Sequence, residues 1–236
     1  MAENLRPECD INKTQIITEL LAIPQNERDA DWQNNFLTNI QTASFTSSEQ
    51  QIRTGPDGFP YFVLNTPEPL KPFSSFCISN LAADYLLPNG FGVVINPVEN
   101  DMDWVFSYGD ILNLIMNGEF FTEPDHKGLQ QMETTQGQEE VLIGQPSEEY
   151  LPLQTRDIMK SFMIYIGIPQ PKVMLLVQKK GDNMVRQLVF NIFIDDYPSD
   201  EDLNYRLQQM SWFLPRHYIV VSIPKLSNLS DGFVDL

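Results

Sequence analysis

Two segments early in the chain repeat apolar residues at helical spacing. The apolar face of the first segment is formed by Ile16, Ile17, Leu20 and Leu21. The apolar face of the second is formed by Trp32, Phe36, Ile40 and Ala43, at positions i, i+4, i+8 and i+11. Pro24 ends the first segment, and the two aspartates of residues 29–31 favour the N-terminus of the second. The pattern therefore predicts two amphipathic helices within residues 11–45.

Runs of β-forming residues, bounded by turn residues, predict strands farther along the chain. Residues 56–58, Pro-Asp-Gly, are a strong turn signal between two such runs and predict a β-hairpin. Residues 92–95, Gly-Val-Val-Ile, are typical of a buried strand, which ends at Asn96-Pro97 because proline cannot donate to a ladder. Residues 172–194 contain two longer runs around a Lys-Lys-Gly-Asp-Asn turn and predict a second hairpin.

A helix start is predicted just after a short strand at residues 104–106. Ser107 lies three residues before Asp110, which is the spacing of a variant capping box. The Ser107 hydroxyl would accept a hydrogen bond from the Asp110 amide, and the Asp110 carboxylate would meet the positive end of the helix. Phe106 and Ile111 occupy the positions of a hydrophobic staple. The pattern predicts that Asp110 caps a helix and takes no part in catalysis.

The order of these elements indicates an α+β fold. A polar stretch with one brief apolar island, residues 122–154, separates two parts of the chain that are rich in periodic apolar residues. We therefore predict two small, mainly antiparallel sheet-plus-helix units with two extra N-terminal helices. They are an N-terminal α+β domain at 1–121, with helices 11–45 as an addition, a connector at 122–154, and a C-terminal α+β domain at 155–236. The second domain has the predicted order α-β-β-α-β, which favours helices on one face of a sheet.

Several local strings resemble the enhanced-serine-sensitivity (SseB) family. "GFGVVINP" and "FSYGDILNL" are similar to that family's strand ending in Asn-Pro and the capped helix after it. "VLIGQPSEEYLPLQTRDIMKSFM" resembles the Gly-x-Pro segment and helix that open the family's second domain, and "KVMLLVQKKGDNMVRQLVFNIFI" resembles the strand pair that follows. The resemblance covers roughly residues 50–225. It implies a bacterial protein with an N-terminal and a C-terminal α+β domain and a non-enzymatic role in interaction or regulation.

The charge of the chain narrows the classes of partner. The 236 residues include 15 Lys and Arg against 32 Asp and Glu, which gives a formal net charge of −17. Such a surface repels nucleic-acid phosphates and anionic lipid headgroups, so we expect neither nucleic acid nor a membrane as a partner. A basic protein is the partner that this charge favours, although the charge also serves solubility. No apolar stretch approaches the ~20 residues that span a bilayer, and no signal-peptide pattern is visible, so we expect a cytoplasmic protein.

The residues that catalytic sites require are scarce. The sequence has no Gly-x-Ser-x-Gly, Ser-x-x-Lys, His-Glu-x-x-His, P-loop or Gly-x-Gly-x-x-Gly motif. Cys9 and Cys77 lie far apart and form no metal-ligand pattern, and we expect Cys77 in the core and no disulfide between them. His126 is expected to be solvated, and His217 lies at the entrance of a strand. We therefore predict a protein that is not an enzyme, with no catalytic residues, no cofactor and no metal.

Two alternatives stay open from the sequence. A hydrolase whose site assembles only in the fold would place His217 beside a carboxylate or beside Cys77. A small-ligand sensor would instead bind an amino acid in the groove between the two domains.

The turn after the strand at 92–95 carries the candidate partner-binding surface. Glu99, Asp101 and Asp103 supply an acidic rim, and Trp104 and Tyr108 supply aromatic anchors. The alternative is that these carboxylates are solvated turn charges and that Trp104 belongs to the core. The leading hypothesis is a non-enzymatic, cytoplasmic protein that binds another protein, with a basic partner favoured.

Overall fold

The computed structural model divides the chain into unit 1, Met1–Phe120, and unit 2, Phe121–Leu236. The structure describes residues 7–99, 101–123, 141–180, 183–227 and 229–236. Each unit combines helices with one small sheet, and most strand pairs in both sheets are antiparallel. The α+β fold class predicted from the sequence is therefore confirmed.

Unit 1 is built around a four-stranded sheet with the strand order β1-β2-β3-β4. Its elements are α1 (Ile11–Leu21), a 3-10 turn (Gln25–Glu27), α2 (Ala30–Ile40), β1 (Ile52–Thr54), β2 (Pro60–Leu64), α3 (Ile78–Leu81), a π-helical turn (Ala82–Leu86), α4 (Leu87–Asn89), β3 (Gly92–Ile95), β4 (Trp104–Phe106) and α5 (Tyr108–Asn117). β1 and β2 form the predicted hairpin, in which Gly58 has a φ of +85° that favours glycine. The helical segment from α3 to α4 then carries the chain to β3, which pairs parallel to β2, and β4 pairs antiparallel to β3.

The two faces of this sheet have different surroundings, because successive side chains of a strand point to opposite faces. One face presents Phe62 and Phe106, which are both buried, and the ring of Phe106 stacks on that of Phe120 with centroids 4.1 Å apart. The opposite face presents Tyr61 and Val94, and it contains a pocket.

The two N-terminal helices are part of the core of unit 1. Phe36 of α2 is fully buried, and its ring centroid lies 4.8 Å from that of Trp32 and 4.8 Å from that of Trp104 in β4. Asp10 and Ala43, at the outer ends of the helix pair, form a parallel β-bridge. The helices predicted as an addition are therefore packed against the last strand of the sheet.

A disulfide joins Cys9, just before α1, to Cys77, just before α3. The two residues are 68 positions apart in the sequence, yet their Cα atoms are 5.5 Å apart, which is a usual disulfide separation. The expectation of no disulfide was wrong, because sequence distance does not report spatial distance. The expectation that Cys77 lies in the core is confirmed, since the residue is fully buried.

Unit 2 contains a sheet with the strand order β5-β6-β7-β8, to which β9 adds by pairing with β6. Its elements are β5 (Val141–Gly144), α6 (Leu153–Tyr165), β6 (Lys172–Lys180), β7 (Asn183–Phe190), a 3-10 turn (Ile194–Asp196), α7 (Asp200–Ser211), β8 (Ile219–Val221), a second 3-10 turn (Ser230–Gly232) and β9 (Val234–Asp235). β6 and β7 form the second predicted hairpin, and β8 pairs parallel to β7 after α7. The predicted order α-β-β-α-β is confirmed for α6, β6, β7, α7 and β8. In both units, a hairpin is thus followed by a helical crossover to a parallel strand.

The apolar island of the predicted connector is a strand of this sheet. β5 pairs antiparallel with β6, from Val141 opposite Gln178 to Gly144 opposite Leu175. The sheet of unit 2 therefore begins well before residue 155, within the segment predicted as a connector at 122–154. Residues 124–140 of that segment lie outside the described residues.

Candidate functional site

A pocket of about 410 Å³ lies on the open face of the sheet of unit 1. Every strand of the sheet contributes to it: Arg53 and Thr54 from β1, Tyr61 from β2, Val94 from β3 and Val105 from β4. The turn at 55–57 forms one side of the mouth, and Pro97, Glu99 and Met102 form another. The pocket depends on the register of all four strands, which brings Arg53, Tyr61, Val94 and Val105 to the same face.

Two glycines leave the space that the Tyr61 ring occupies in this pocket. A Cβ atom on Gly92 would stand 2.5 Å from the backbone oxygen of Phe106 and 2.7 Å from Cδ1 of the Tyr61 ring. A Cβ atom on Gly55 would stand 2.6 Å from Cε2 of the same ring. The Tyr61 hydroxyl donates a hydrogen bond to Oδ2 of Asp57, and the Phe59 amide donates to Oδ1 at 3.1 Å. The ring and the Asp57 carboxylate are thus both held in place.

The second side of the mouth is a tight turn that contains two of the predicted surface residues. The amides of Val98 and Asp101 each donate to the other residue's carbonyl oxygen at 2.8 Å. The Glu99 backbone has a φ of +51°, and its carbonyl oxygen accepts a hydrogen bond from Nη2 of Arg53. Glu99 and Asp101 are both exposed, so their carboxylates stand at the surface beside the pocket. We call Pro97, Val98, Glu99 and Asp101 the acidic turn.

Asp103, the third predicted carboxylate, serves the structure of unit 1. Its Oδ2 accepts a hydrogen bond from Nδ2 of Asn96 at 2.7 Å, and its Oδ1 lies 3.8 Å from Nη2 of Arg28. The Asp103 amide also donates to the carbonyl oxygen of Ile95 at 3.1 Å. Replacing this side chain would disturb the turn itself, so Asp103 is unsuited to a test of surface binding.

The two predicted aromatic anchors lie mainly in the interior. Trp104 packs against Phe36 and against Trp32, whose ring centroid is 5.6 Å from that of Trp104. Tyr108 is fully buried in the first turn of α5, so the prediction that it presents an aromatic ring to a partner was wrong. Its spacing to Ile111 and Leu112 is that of one helical face, which was a sequence signal for burial.

The predicted capping box at the start of α5 is confirmed. The Asp110 amide donates to Oγ of Ser107 at 3.1 Å, and the Ser107 amide donates to Oδ2 of Asp110 at 2.9 Å. Asp110 is fully buried, and the helix ends at Gly118, whose φ is +76°. The buried carboxylate therefore satisfies backbone donors that the helix leaves open at its N-terminus.

Ser107→Ala is expected to lower the free energy of unfolding by about 1 kcal/mol, because one hydrogen bond to the first turn of α5 is lost. Urea unfolding of the variant and the wild type measures this difference. Ser161→Ala is the matched control, since Ser161 is an exposed helical serine of unit 2 that only donates to its own helix. A loss no larger for Ser107 than for Ser161 would contradict the capping role.

The other residues of the pocket were not predicted from the sequence. Arg53, Asp57 and Tyr61 come from the β1–β2 hairpin, in which the sequence shows only a turn signal. The alternation of side chains in β2 could have placed Tyr61 and Phe62 on opposite faces. It could not have shown which strands stand beside β2.

The alternative of a catalytic dyad of Cys77 and His217 is wrong, because Cys77 is disulfide-bonded and provides no thiolate. The ring of His217 contacts that of Tyr218 edge-on, with centroids 4.8 Å apart. Within the described residues, no cluster of three or more His, Cys, Asp or Glu could hold a metal ion. A His217-carboxylate site stays a prediction, and His126 lies outside the described residues.

A stacked tyrosine pair near His217 is the most perturbed titratable site that the structure describes in unit 2. The rings of Tyr150 and Tyr218 are 4.2 Å apart and inclined by 7°, and the Tyr218 hydroxyl donates to the Tyr150 carbonyl oxygen at 2.7 Å. Burial raises the pKa of Tyr150 to about 12, against a smaller lowering by Arg186. Burial also raises the pKa of Tyr218, and the neighbouring Tyr150 adds to the effect. Both groups are acids that the folded chain keeps neutral.

Unit 2 is expected to lose stability as the pH rises from about 10 to about 12, because the unfolded chain releases these protons first. The contribution of these tyrosines to stability is fully present below the pKa that they have in the unfolded chain. It is lost as the pH rises through their higher pKa in the folded chain. Thermal unfolding across this range measures it, and Tyr150→Phe should flatten the decline. Tyr165→Phe is the control, since Tyr165 is 86% exposed. An equal effect of both variants would contradict the assignment.

Comparison of the chain with family models, with curated proteins and with solved structures found no match. The resemblance to the SseB family therefore stays a prediction from the sequence. Among the described residues, no helix has both the length and the apolar character needed to cross a bilayer.

Proposed function

We propose that this protein is a non-enzymatic binding protein whose acidic turn engages a basic protein partner. The observation that carries the proposal is the pair of exposed carboxylates in one turn, Glu99, which lines the open pocket, and Asp101, two residues farther along the chain. Unit 1 holds 16 of the 32 acidic residues but only 5 of the 15 basic ones, so the surroundings of the turn reinforce its charge. Such a field attracts a basic surface and repels acidic ones.

Two features of the sequence support a binding role over a catalytic one. Familiar catalytic motifs are absent from the 236 residues. The strings that resemble the SseB family point toward interaction or regulation, the roles with which that family is linked. A regulatory role in bacteria is accordingly part of the proposal.

The compartment is a separate part of the proposal. The sequence favoured the cytoplasm, where thiols are kept reduced, whereas a Cys9–Cys77 disulfide favours an oxidising compartment. Rapid acid denaturation of intact cells, followed by maleimide labelling of the unfolded chain, distinguishes the two, because Cys77 is fully buried in the folded protein. Modification of both cysteines would support the cytoplasm, and protection of both until a reductant is added would support an oxidising compartment.

The proposed function is tested by affinity capture from cell lysate at two salt concentrations. The wild type should retain a basic partner at low salt and release it at high salt, because exposed charges are screened. The double variant Glu99→Lys with Asp101→Lys should lose that partner. Glu49→Lys with Glu19→Lys is the matched control, since both glutamates are exposed acids of unit 1 outside the pocket.

The two pairs of variants change the net charge of the protein equally. Loss of capture in both would mean that total charge alone attracts the partner, and the acidic turn would lose its assigned role. Unchanged capture by the variant of Glu99 and Asp101 would exclude the acidic turn as the binding surface. Asp103 is left intact in these experiments because it holds the turn together.

A further inference from the structure

We infer that the pocket beside the acidic turn binds a cationic side chain on an apolar stem, as lysine or arginine of a partner would supply. This inference rests on the proposed function and names the chemical group that the partner inserts. Three features of the pocket carry it: an apolar floor, an acidic mouth, and a strained backbone that presents one of the carboxylates.

The floor of the pocket is apolar and already shaped. Tyr61 and Val94 are each 5% exposed, and Val105 and Met102 are half-buried beside them. The methylene stem of a long cationic side chain can lie along such a surface while its charged end stays near water.

The mouth of the pocket carries an excess of negative charge. Asp57 and Glu99 stand on two sides of it and are both exposed, whereas Arg53 is the single cation among the lining residues. Arg53 donates to the chain's own Glu99 carbonyl oxygen, so that its guanidinium group stabilises the turn. Each Asp57 oxygen accepts one hydrogen bond from its own chain and keeps a lone pair for a further donor. The mouth therefore selects a donor with positive charge.

The backbone at Glu99 adds an independent observation. Its φ of +51° lies in the left-handed region, which glycine and asparagine occupy far more readily than glutamate. Strained residues of this kind concentrate at binding and catalytic sites. Here the strained residue places its carbonyl oxygen on Arg53 and its exposed carboxylate at the mouth of the pocket.

An anion would suit the pocket poorly. It would approach two carboxylates at the mouth, and the one lining guanidinium is already engaged with the backbone. A free amino acid would bring a carboxylate close to Asp57 and Glu99 as well as an ammonium group. A side chain whose own backbone remains in a polypeptide brings only the cation.

The inference is tested by titrating the ¹⁵N-labelled full chain with N-acetyl-lysine methylamide and following amide chemical shifts. We expect shifts confined to the strands and turns around the pocket. The norleucine analogue, which has the same stem without the amine, should bind about tenfold more weakly, because it lacks the charge–carboxylate attractions. Glu99→Gln should weaken binding of the lysine derivative about fivefold, and Glu49→Gln should leave it unchanged.

A second variant distinguishes the contribution of the pocket to binding from that of the acidic turn. Val105→Phe fills part of the pocket and leaves every carboxylate of the mouth in place. It should abolish the shifts caused by the lysine derivative, and the dispersion of its own amide spectrum reports that the chain is folded. If Val105→Phe is unfolded, Met102→Phe replaces it, because Met102 is half-buried and lines the same pocket.

Several results would overturn the inference. Equal affinity for the norleucine analogue would make the pocket an apolar site without charge selection. Shifts spread over the acidic surface, and lowered equally by Glu49→Gln, would indicate general charge attraction. Tighter binding of free lysine or serine than of the capped derivative would favour an amino-acid sensor instead. If the basic partner is still captured by Val105→Phe, the pocket loses its role while the proposed function of the acidic turn stands.

Discussion

Reduction of the Cys9–Cys77 disulfide is expected to lower the free energy of unfolding of unit 1 by about 4 kcal/mol. The bond closes a loop of 68 residues, and cross-linking so long a segment restricts the unfolded chain strongly. The bond also connects the segment before α1 to the segment before α3, so it fixes the helix pair to the rest of the unit. Loss of the bond should therefore lower the stability of the whole of unit 1.

The measurement is urea unfolding with and without a phosphine reductant, followed by tryptophan fluorescence. A Trp212→Phe background confines the signal to Trp32 and Trp104, which both lie in unit 1. The double variant Cys9→Ala with Cys77→Ala should match the reduced protein to within the effect of the buried Cys77 side chain, and it should not respond to the reductant. An unchanged unfolding midpoint after reduction would contradict the stabilising role of the bond.

Phe36→Ala is expected to cost about 3–5 kcal/mol, the largest effect of any single substitution considered for this chain. The ring is fully buried and touches two tryptophan rings, so its removal leaves a cavity in the aromatic cluster between α2 and β4. The same fluorescence assay in the Trp212→Phe background measures the loss. Ile11→Ala is the control, because Ile11 belongs to the neighbouring helix α1 but is 55% exposed and should change stability far less.

These two substitutions test whether the helix pair is integral to unit 1. If Phe36→Ala lowered stability no more than Ile11→Ala, the pair would be an appendage, as the sequence suggested for residues 11–45. A loss that affects the unfolding of the whole unit would show that the sheet and the helices form one core.

Local chemistry explains which parts of the fold could be predicted. The hairpin around Pro56-Asp57-Gly58 and the capping box of Ser107 and Asp110 depend on residues a few positions apart, and the structure confirms both. The π-helical turn at Ala82–Leu86 lies between α3 and α4, and no local signal in the sequence marked it. The Cys9–Cys77 disulfide joins distant segments, so only the fold could reveal it.

In the candidate site, too, features that depend on nearby residues could be predicted and features that depend on distant residues could not. The turn residues Glu99 and Asp101 are exposed, as a polar turn after a strand suggests. Tyr108 was predicted at the surface because it lies close in sequence to the acidic residues of the turn. Its helical spacing to Ile111 indicated instead that it is buried, as the structure shows. The pocket itself needs the register of four strands from separate parts of the chain, and it was invisible in the order of residues.

Photo-crosslinking in cells shows whether Asp101 and its neighbours contact a basic protein. Benzoylphenylalanine would replace Asp101 in one strain and Glu49 in another, and both positions are exposed in unit 1. We expect an adduct with a basic protein at position 101 and none at position 49. Adducts of equal yield at both positions, or an acidic protein as the partner at position 101, would contradict this expectation.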